Sequence, residues 1–469
     1  MVYEKLSAWV DAHRDAFLAD LENWLSVPSV KGEAEPGAPF GPENRKALSL
    51  ALEDARRYGF VTRDFDGYAG DITLGDGAET LGILCHLDVV PAGDGWSKPP
   101  FHLTVENDRL IGRGVMDDKG PALAALYAMR AVRDCALPLK DKVRLILGCD
   151  EETGMSDMRY YAQKADLPHY GFSPDAEFPV IHIEKGGLNL LLSKVTDSKI
   201  SAPIEIESLQ AGERCNVVPG IARAVVAVSD VPDLEERVAA IAQKRAFSLS
   251  TRALGDGRYE IVAEGLCAHA STPHLGKNAA GMLLIALADL NAGGAIGETV
   301  RALSEWIGLE GNGESLGIAI SDPDSGPLTC NLGILRYDGN LFSAQLDIRY
   351  PLNVTEETLC GKVAMRLSPA KIALTRISGH APHHVPKEHK VVQGLLRAYN
   401  EATGLEGYAF AIGGGTYSRM MPNTVAFGPN FPGEVDTCHM PDEYISQEKM
   451  FLCIKTIALA IARLACEEC

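Results

Sequence analysis

No stretch of this chain is apolar for long enough to cross a bilayer. The most apolar segment, Phe451 to Ala465, is interrupted by Lys455 and Arg463 and falls short of the roughly 20 residues a spanning helix needs, so it reads as a buried C-terminal helix. The N-terminus, MVYEKLSAWVDAHRDAFLADLENWLSVPSV, lacks the charged start and apolar run of a signal peptide. Its apolar spacing predicts an amphipathic helix instead. Positive charge is scarce: 44 lysines and arginines face 63 aspartates and glutamates, for a net charge of −19. That balance argues against nucleic acid or an anionic membrane as partner, and a cytoplasmic location is expected. The eleven cysteines, an odd number, show no disulfide framework. Cys85, Cys149 and Cys453 lie inside apolar runs, as reduced core thiols do. The one CxxC, Cys466 to Cys469, stands at the chain end without a second pair and receives no metal or redox role. No tandem repeat at solenoid spacing is present.

What is present is globular. With 46% hydrophobic and 23% charged residues, 469 residues exceed one ordinary core and predict two domains, or one with a large insertion. LGILCH (81–86) and VRLILGCDEE (143–152) are apolar runs ending in polar groups, as in central strands of a largely parallel sheet. Between them GRGVMDDKG is followed by PALAALYAMRAVRD, a helix with Pro121 tolerated in its first turn. Strand, loop, helix, strand is the βαβ rhythm of an α/β sheet, whose ligands gather at the carboxyl ends of the strands. His86, Asp88, Glu151 and Glu152 fall there. From about 188 to 385 the texture changes to alternating segments such as ARAVVAVSD and FSAQLDIRYP, with a helix around KNAAGMLLIALADL. After Lys387 come a helix, the glycine-rich AIGGGTYSR and the closing helix. The expectation is a discontinuous α/β domain, residues 1–187 and 386–469, interrupted by a second domain, 188–385.

The adjacent carboxylates Asp117 and Asp118 repel each other unless water or a cation compensates them. In HLDVV, His86 and Asp88 lie on the same side of an extended chain, so Asp88 can take the second ring N–H of a metal-bound His86; alone the pair reads more readily as two solvent-facing groups. In CDEETG the consecutive Glu151 and Glu152 diverge, so one can bind a metal while the other faces substrate. Asp175 in FSPDAEFP and His439 in VDTCHMPDE add an acid and an imidazole. Each has a bland reading as cap, turn former or surface charge. Together, two histidines and three carboxylates beside apolar segments match the needs of two divalent ions sharing one bridging carboxylate.

HLDVVPAGDGW, GRGVMDDKGP, DEETG, PDAEFPV with EKGG, AHASTPHLGKNAA, and GGGTYSR followed by DTCHMPDE, in this order, resemble the dinuclear zinc metallopeptidases. That family includes PepV-type dipeptidases, carnosinases, acetylornithine deacetylases and succinyl-diaminopimelate desuccinylases, and the PepV type is the nearest likeness. The resemblance implies a zinc-peptidase-like catalytic domain with a central mixed, largely parallel sheet, interrupted by a large inserted α+β lid. It assigns one metal to His86, Asp117 and Asp175 and the other to Asp117, Glu152 and His439. It gives Asp118 a supporting role after a cis peptide, and Glu151 the role of general base toward a metal-bridging water. His269, otherwise an ordinary histidine, would donate to the oxyanion. Asn216 and Arg349, otherwise a turn asparagine and an edge-strand arginine, would hold substrate, and the amides of Gly414 and Gly415 would help bind its free carboxylate. Two Zn2+ ions, with Mn2+ or Co2+ as alternatives, dipeptide substrates and a monomer are implied. An N-acyl-amino-acid deacylase is the competing activity, and a non-catalytic binding protein the competing class. The pair His383–His384 receives no role.

Overall fold

The computed structural model describes residues 2–196, 200–229 and 231–467, so of the terminal CxxC Cys466 is described, and buried, while Cys469 lies outside the described residues. The chain divides into two compact units: Met1–Ile183, His384–Phe410 and Gly415–Cys469 form the first, Glu184–His383 and Ala411–Gly414 the second.

In the first unit strand Thr80–His86, buried along its whole length, lies parallel to Lys142–Gly148 on one side and Tyr170–Ser173 on the other. Thr424–Ala426 extends the parallel centre beyond Tyr170–Ser173, whereas Ala69–Leu74 and Val61–Phe65 add antiparallel strands at the opposite side. The sheet is therefore mixed, with a parallel middle. Its continuous apolar runs follow from helix cover, since helices Lys119–Asp134 and Gln447–Ala465 contribute Leu123, Leu126, Ile454 and Ile457 to the same core. Pro121 sits in the first turn of the helix that begins behind the aspartate pair. The Lys119 ammonium at that start is fully buried and donates to the carbonyls of Trp24 (3.1 Å) and Val27 (2.5 Å), anchoring the loop.

The N-terminal segment departs from the expected single helix, forming Val2–Ala12 and Arg14–Leu25 with a break at His13. The Trp9 carbonyl, which a continuing helix would give to the His13 amide, accepts from the His13 ring at 2.7 Å instead, and the amide turns to Val10 (3.0 Å).

The second unit is built on eight antiparallel strands in the order Ser248–Gly255, Arg258–Glu264, Ile221–Val228, Ile204–Ala211, Thr329–Tyr337, Leu341–Tyr350, Gly186–Val195, Ala373–His380. Ala222, Ala224 and Val226 are buried against helix residues such as Leu283 and Leu287, while Ile221 and Arg223 face outward, the alternation the sequence predicts. The chain is thus an α/β fold interrupted by an α+β insertion. Among the described residues no helix is long and apolar enough to cross a membrane.

At Gly82 and Gly171, partners in the parallel pair, the strands leave no room for a side chain: a Cβ on Gly171 would lie 2.4 Å from the Gly82 carbonyl oxygen. Gly171→Ala is predicted to cost about 1–3 kcal/mol of stability, seen as a lower denaturant midpoint at unchanged slope. A wild-type midpoint would show that the strands separate without cost.

Candidate active site

The carboxyl ends of the parallel strands carry the predicted residues. His86 ends one strand, Glu151 and Glu152 follow the next, and Asp175 follows Tyr170–Ser173. The Nε2 of His86 lies 2.9 Å from Oδ1 of Asp117 and 3.8 Å from Asp175, while the Nε2 of His439 lies 3.0 Å from Oδ2 of Asp117 and 3.2 Å from Glu152. Asp117 therefore lies between two imidazoles, one carboxylate oxygen facing each. All five predicted ligands converge. Asp118 also approaches the His86 and Asp175 side, its ligand atoms falling within 4.8 Å of theirs. One of its oxygens accepts the His86 amide (3.0 Å), the supporting role expected of it, and the Asp117–Asp118 peptide is cis.

The loops that carry these groups are tied together by buried carboxylates. Asp88 departs from its expected contact: the His86 ring donates through Nδ1 to the backbone carbonyl of Asp88 (2.8 Å), with the carboxylate farther away at 3.4 Å. That carboxylate instead accepts the amides of Glu151 (3.2 Å) and Glu152 (3.1 Å), because two consecutive turn amides leave it a better-directed pair of donors. Asp157 accepts the amides of Cys149 (2.6 Å) and Asp150 (2.8 Å) and the Tyr417 hydroxyl, linking the acid loop to the GGGTYSR segment.

Glu443 is a residue the sequence reading passed over. It is fully buried, accepts the amides of Gly114 (3.0 Å), Met116 (2.9 Å) and Asp117 (3.3 Å), and pairs with Arg113 at 2.6 Å. It thus fastens the aspartate loop to the segment bearing His439. Its only sequence signal was its place in the HMPDE motif, since Arg113 lies 330 positions away.

The electrostatics reflect crowded acids. Burial opposes ionisation of Asp117, but the imidazoles of His439 and His86 outweigh it and hold the group below the ordinary carboxylate range. Hydrogen bonds to Asp117 and Glu152 push His439 up to about 11. Burial, then the Asp175 carboxylate, raises Glu151 well above the usual range. The residues fit divalent cations on independent grounds: two groups of imidazole and carboxylate donors each converge within 4.8 Å, and Oδ1 of Asp118 is buried without a hydrogen-bond partner. Imidazole and carboxylate donors suit zinc, and manganese also.

Of the other predicted residues, Asn216, His269, Arg349 and Gly414 belong to the second unit, on segments that contact one another. The Asn216 carbonyl accepts the Ala270 amide (2.9 Å), and Val217 bridges to His269. The Nδ1 of His269 lies 2.7 Å from the Ser271 hydroxyl oxygen and 3.3 Å from the Ser271 amide. A Cβ on Gly413 would fall 2.5 Å from that of Ser271, and the Gly413 carbonyl accepts from Arg349 at 3.1 Å. Space beside Gly414 is open, its nearest neighbour being Ile412. Gly415 belongs to the first unit, where the Arg419 guanidinium occupies the position a side chain would take.

Glu443→Ala is predicted to destabilise the protein by about 3–5 kcal/mol, because it strands a buried guanidinium together with three amides. Wild-type stability in chemical denaturation would show that those groups find other partners.

Known proteins share this arrangement of the chain. Residues 82–463 match the description Peptidase family M20/M25/M40. The Bacillus subtilis (strain 168) protein named "Putative dipeptidase YtjP" is 35% identical over 458 residues, covering 96% of this chain and 98% of its own. A Staphylococcus aureus (strain USA300) protein of the same description is 35% identical over 470 residues, covering 98% and 99%. Among solved structures, human carnosine dipeptidase 1 superposes with a TM-score of 0.60 at 16% identity, covering 99% of both chains. Aminoacylhistidine dipeptidase from Vibrio alginolyticus gives 0.58 at 13%, covering 97% of both. These two show the fold, and the family match and the 35% relatives show the lineage: the chain belongs to peptidase family M20/M25/M40 and is a peptide-bond hydrolase.

Proposed function

We propose that this protein is a dipeptidase of the PepV type, dependent on two divalent metal ions, with the first unit as catalytic domain and the second as lid. The observation that carries the reading is the placement of Asp117 between His86 and His439, while Glu151, which belongs to neither group of converging donors, feels the charges of Asp175 and His86. The relatives described as dipeptidases support the substrate class.

His86, Asp117 and Asp175 would hold one ion, and Asp117, Glu152 and His439 the other. When bound, such ions polarise the scissile carbonyl and make a water nucleophilic near neutral pH, zinc being the ion expected. Glu151 takes the proton from the attacking water and delivers it to the departing amine; its burial supplies the needed proton affinity. Asp88 keeps Glu151 aimed through its grip on the Glu151 amide. His269 offers the Nε2 proton to the oxyanion. Asn216 orients the substrate, and Arg349 with the amides of Gly414 and Gly415 receives its free carboxylate. The restriction of substrates to two residues requires in addition that the site be closed on the amino side of the scissile bond, which is part of the proposal.

Glu151→Gln is predicted to retain metal at wild-type stoichiometry while turnover falls by about 10²–10⁴-fold; a metal-replete variant with unchanged turnover would remove the base role. Assay of dipeptides, tripeptides and N-acetyl and N-succinyl amino acids tests the substrate class. Dipeptides are expected to be cleaved with the highest kcat/KM. Faster cleavage of the acylated amino acids would make the protein a deacylase, and equal cleavage of tripeptides would contradict the size limit.

A further inference from the structure

Arg349 does not stand alone in its sheet. Strand Leu341–Tyr350 runs between Thr329–Tyr337 and Gly186–Val195, and Asp347 is opposite Asn331 on one neighbour and Asn189 on the other. Arg349, two positions on, shares the face of the sheet with Asp347. Asp347 is 2% exposed, and both of its oxygens are committed to the arginine: Nε donates to Oδ1 at 2.7 Å and Nη2 to Oδ2 at 2.9 Å. A third N–H, on Nη1, goes to the Gly413 carbonyl at 3.1 Å. A guanidinium carries five N–H donors in a rigid plane. Two remain, one on each terminal nitrogen; with the Gly413 carbonyl on the outer Nη1 hydrogen these are the end-on pair that matches a carboxylate.

We propose that Asp347 is a positioning residue for recognition of the substrate's terminal carboxylate. By engaging Arg349 side-on with both oxygens it fixes the plane of the guanidinium and leaves one fork of two donors beside Gly413. The proposal rests on the reading of Arg349 as the group that receives the carboxylate. The same level of the sheet organises a second substrate element, since Asn331 donates to the carbonyls of Cys215 (3.0 Å) and Val217 (3.0 Å) and so holds the loop that bears Asn216. Asp347 also cancels the arginine's charge. Selectivity for the carboxylate then comes from two directed hydrogen bonds, and a C-terminal carboxamide, which turns its own N–H donors toward one arm of the fork, is refused.

The two roles open to Asp347, fixing direction and cancelling charge, predict opposite results. Asp347→Asn removes an anion that competes with the substrate's carboxylate, so a purely charge-cancelling role predicts a lower KM. A positioning role predicts a KM for a free dipeptide raised about tenfold or more, with kcat within about twofold and no change toward the dipeptide amide. Asp347→Glu keeps the charge but displaces the carboxylate by one methylene, and the same rise is expected; it serves if the asparagine variant fails to fold, judged by thermal melting of the metal-loaded full chain. Arg349→Met separates the premises. If it raises KM while the folded Asp347 variants do not, the positioning role is overturned and the carboxylate reading stands. If Arg349→Met leaves KM unchanged, the carboxylate reading itself fails.

Discussion

The carboxylate of Asp117, with one oxygen toward His86 and the other toward His439, sets the terms for everything around it. Asp175, Glu151, Glu152 and Asp118 crowd the same region, and a low-dielectric pocket cannot hold so many negative charges without compensation. The imidazoles supply part of that compensation: Asp117 and Glu152 raise His439, and the two imidazoles lower Asp117. The buried, unpartnered Oδ1 of Asp118 marks where hydrogen bonding alone leaves the centre incomplete. A site so arranged stores affinity for divalent ions in its own electrostatic imbalance.

Such an imbalance has to be held by covalent and hydrogen-bonded structure. The parallel strands bring His86, Glu151 and Asp175 to their shared carboxyl end, but the final geometry comes from carboxylates that accept main-chain amides of neighbouring loops. Asp118 binds the amide of His86, Asp88 those of Glu151 and Glu152, and Glu443 those of the aspartate loop. Asp347 and Arg349 in the inserted unit follow the same logic with side-chain donors. In each case an acid with no direct share in the proposed chemistry sets the direction of a group that has one. This is the organisation expected where small angular errors cost large factors in rate.

The apolar runs ending in His86 and before Cys149 announced parallel strands, because strands covered on both faces must be apolar throughout. The alanine-rich helix behind Asp118 was legible from its spacing and from Pro121. The ligands were legible only as a conjunction, through motifs whose order along the chain is specific while each residue alone is commonplace. What could not be read was pairing at a distance. Nothing in GRG or in HMPDE states that Arg113 and Glu443 meet, and HLDVV suggested a carboxylate for the His86 ring where a backbone carbonyl is nearer. The break at His13 turned on one ring reaching back to Trp9, a local competition that hydrophobic spacing does not register. Arg349, an edge-strand arginine on its bland reading, stands on an interior strand, where Asp347 and the Gly413 carbonyl take three of its five donors.

The central claim is that one carboxylate serves two cations. Anomalous diffraction from crystals grown with zinc, collected on either side of the zinc absorption edge, tests it most directly. The account predicts two peaks separated by roughly 3.5–4 Å, with the oxygens of Asp117 split between them and one imidazole on each. A single peak, or two peaks of which only one contacts Asp117, would contradict it.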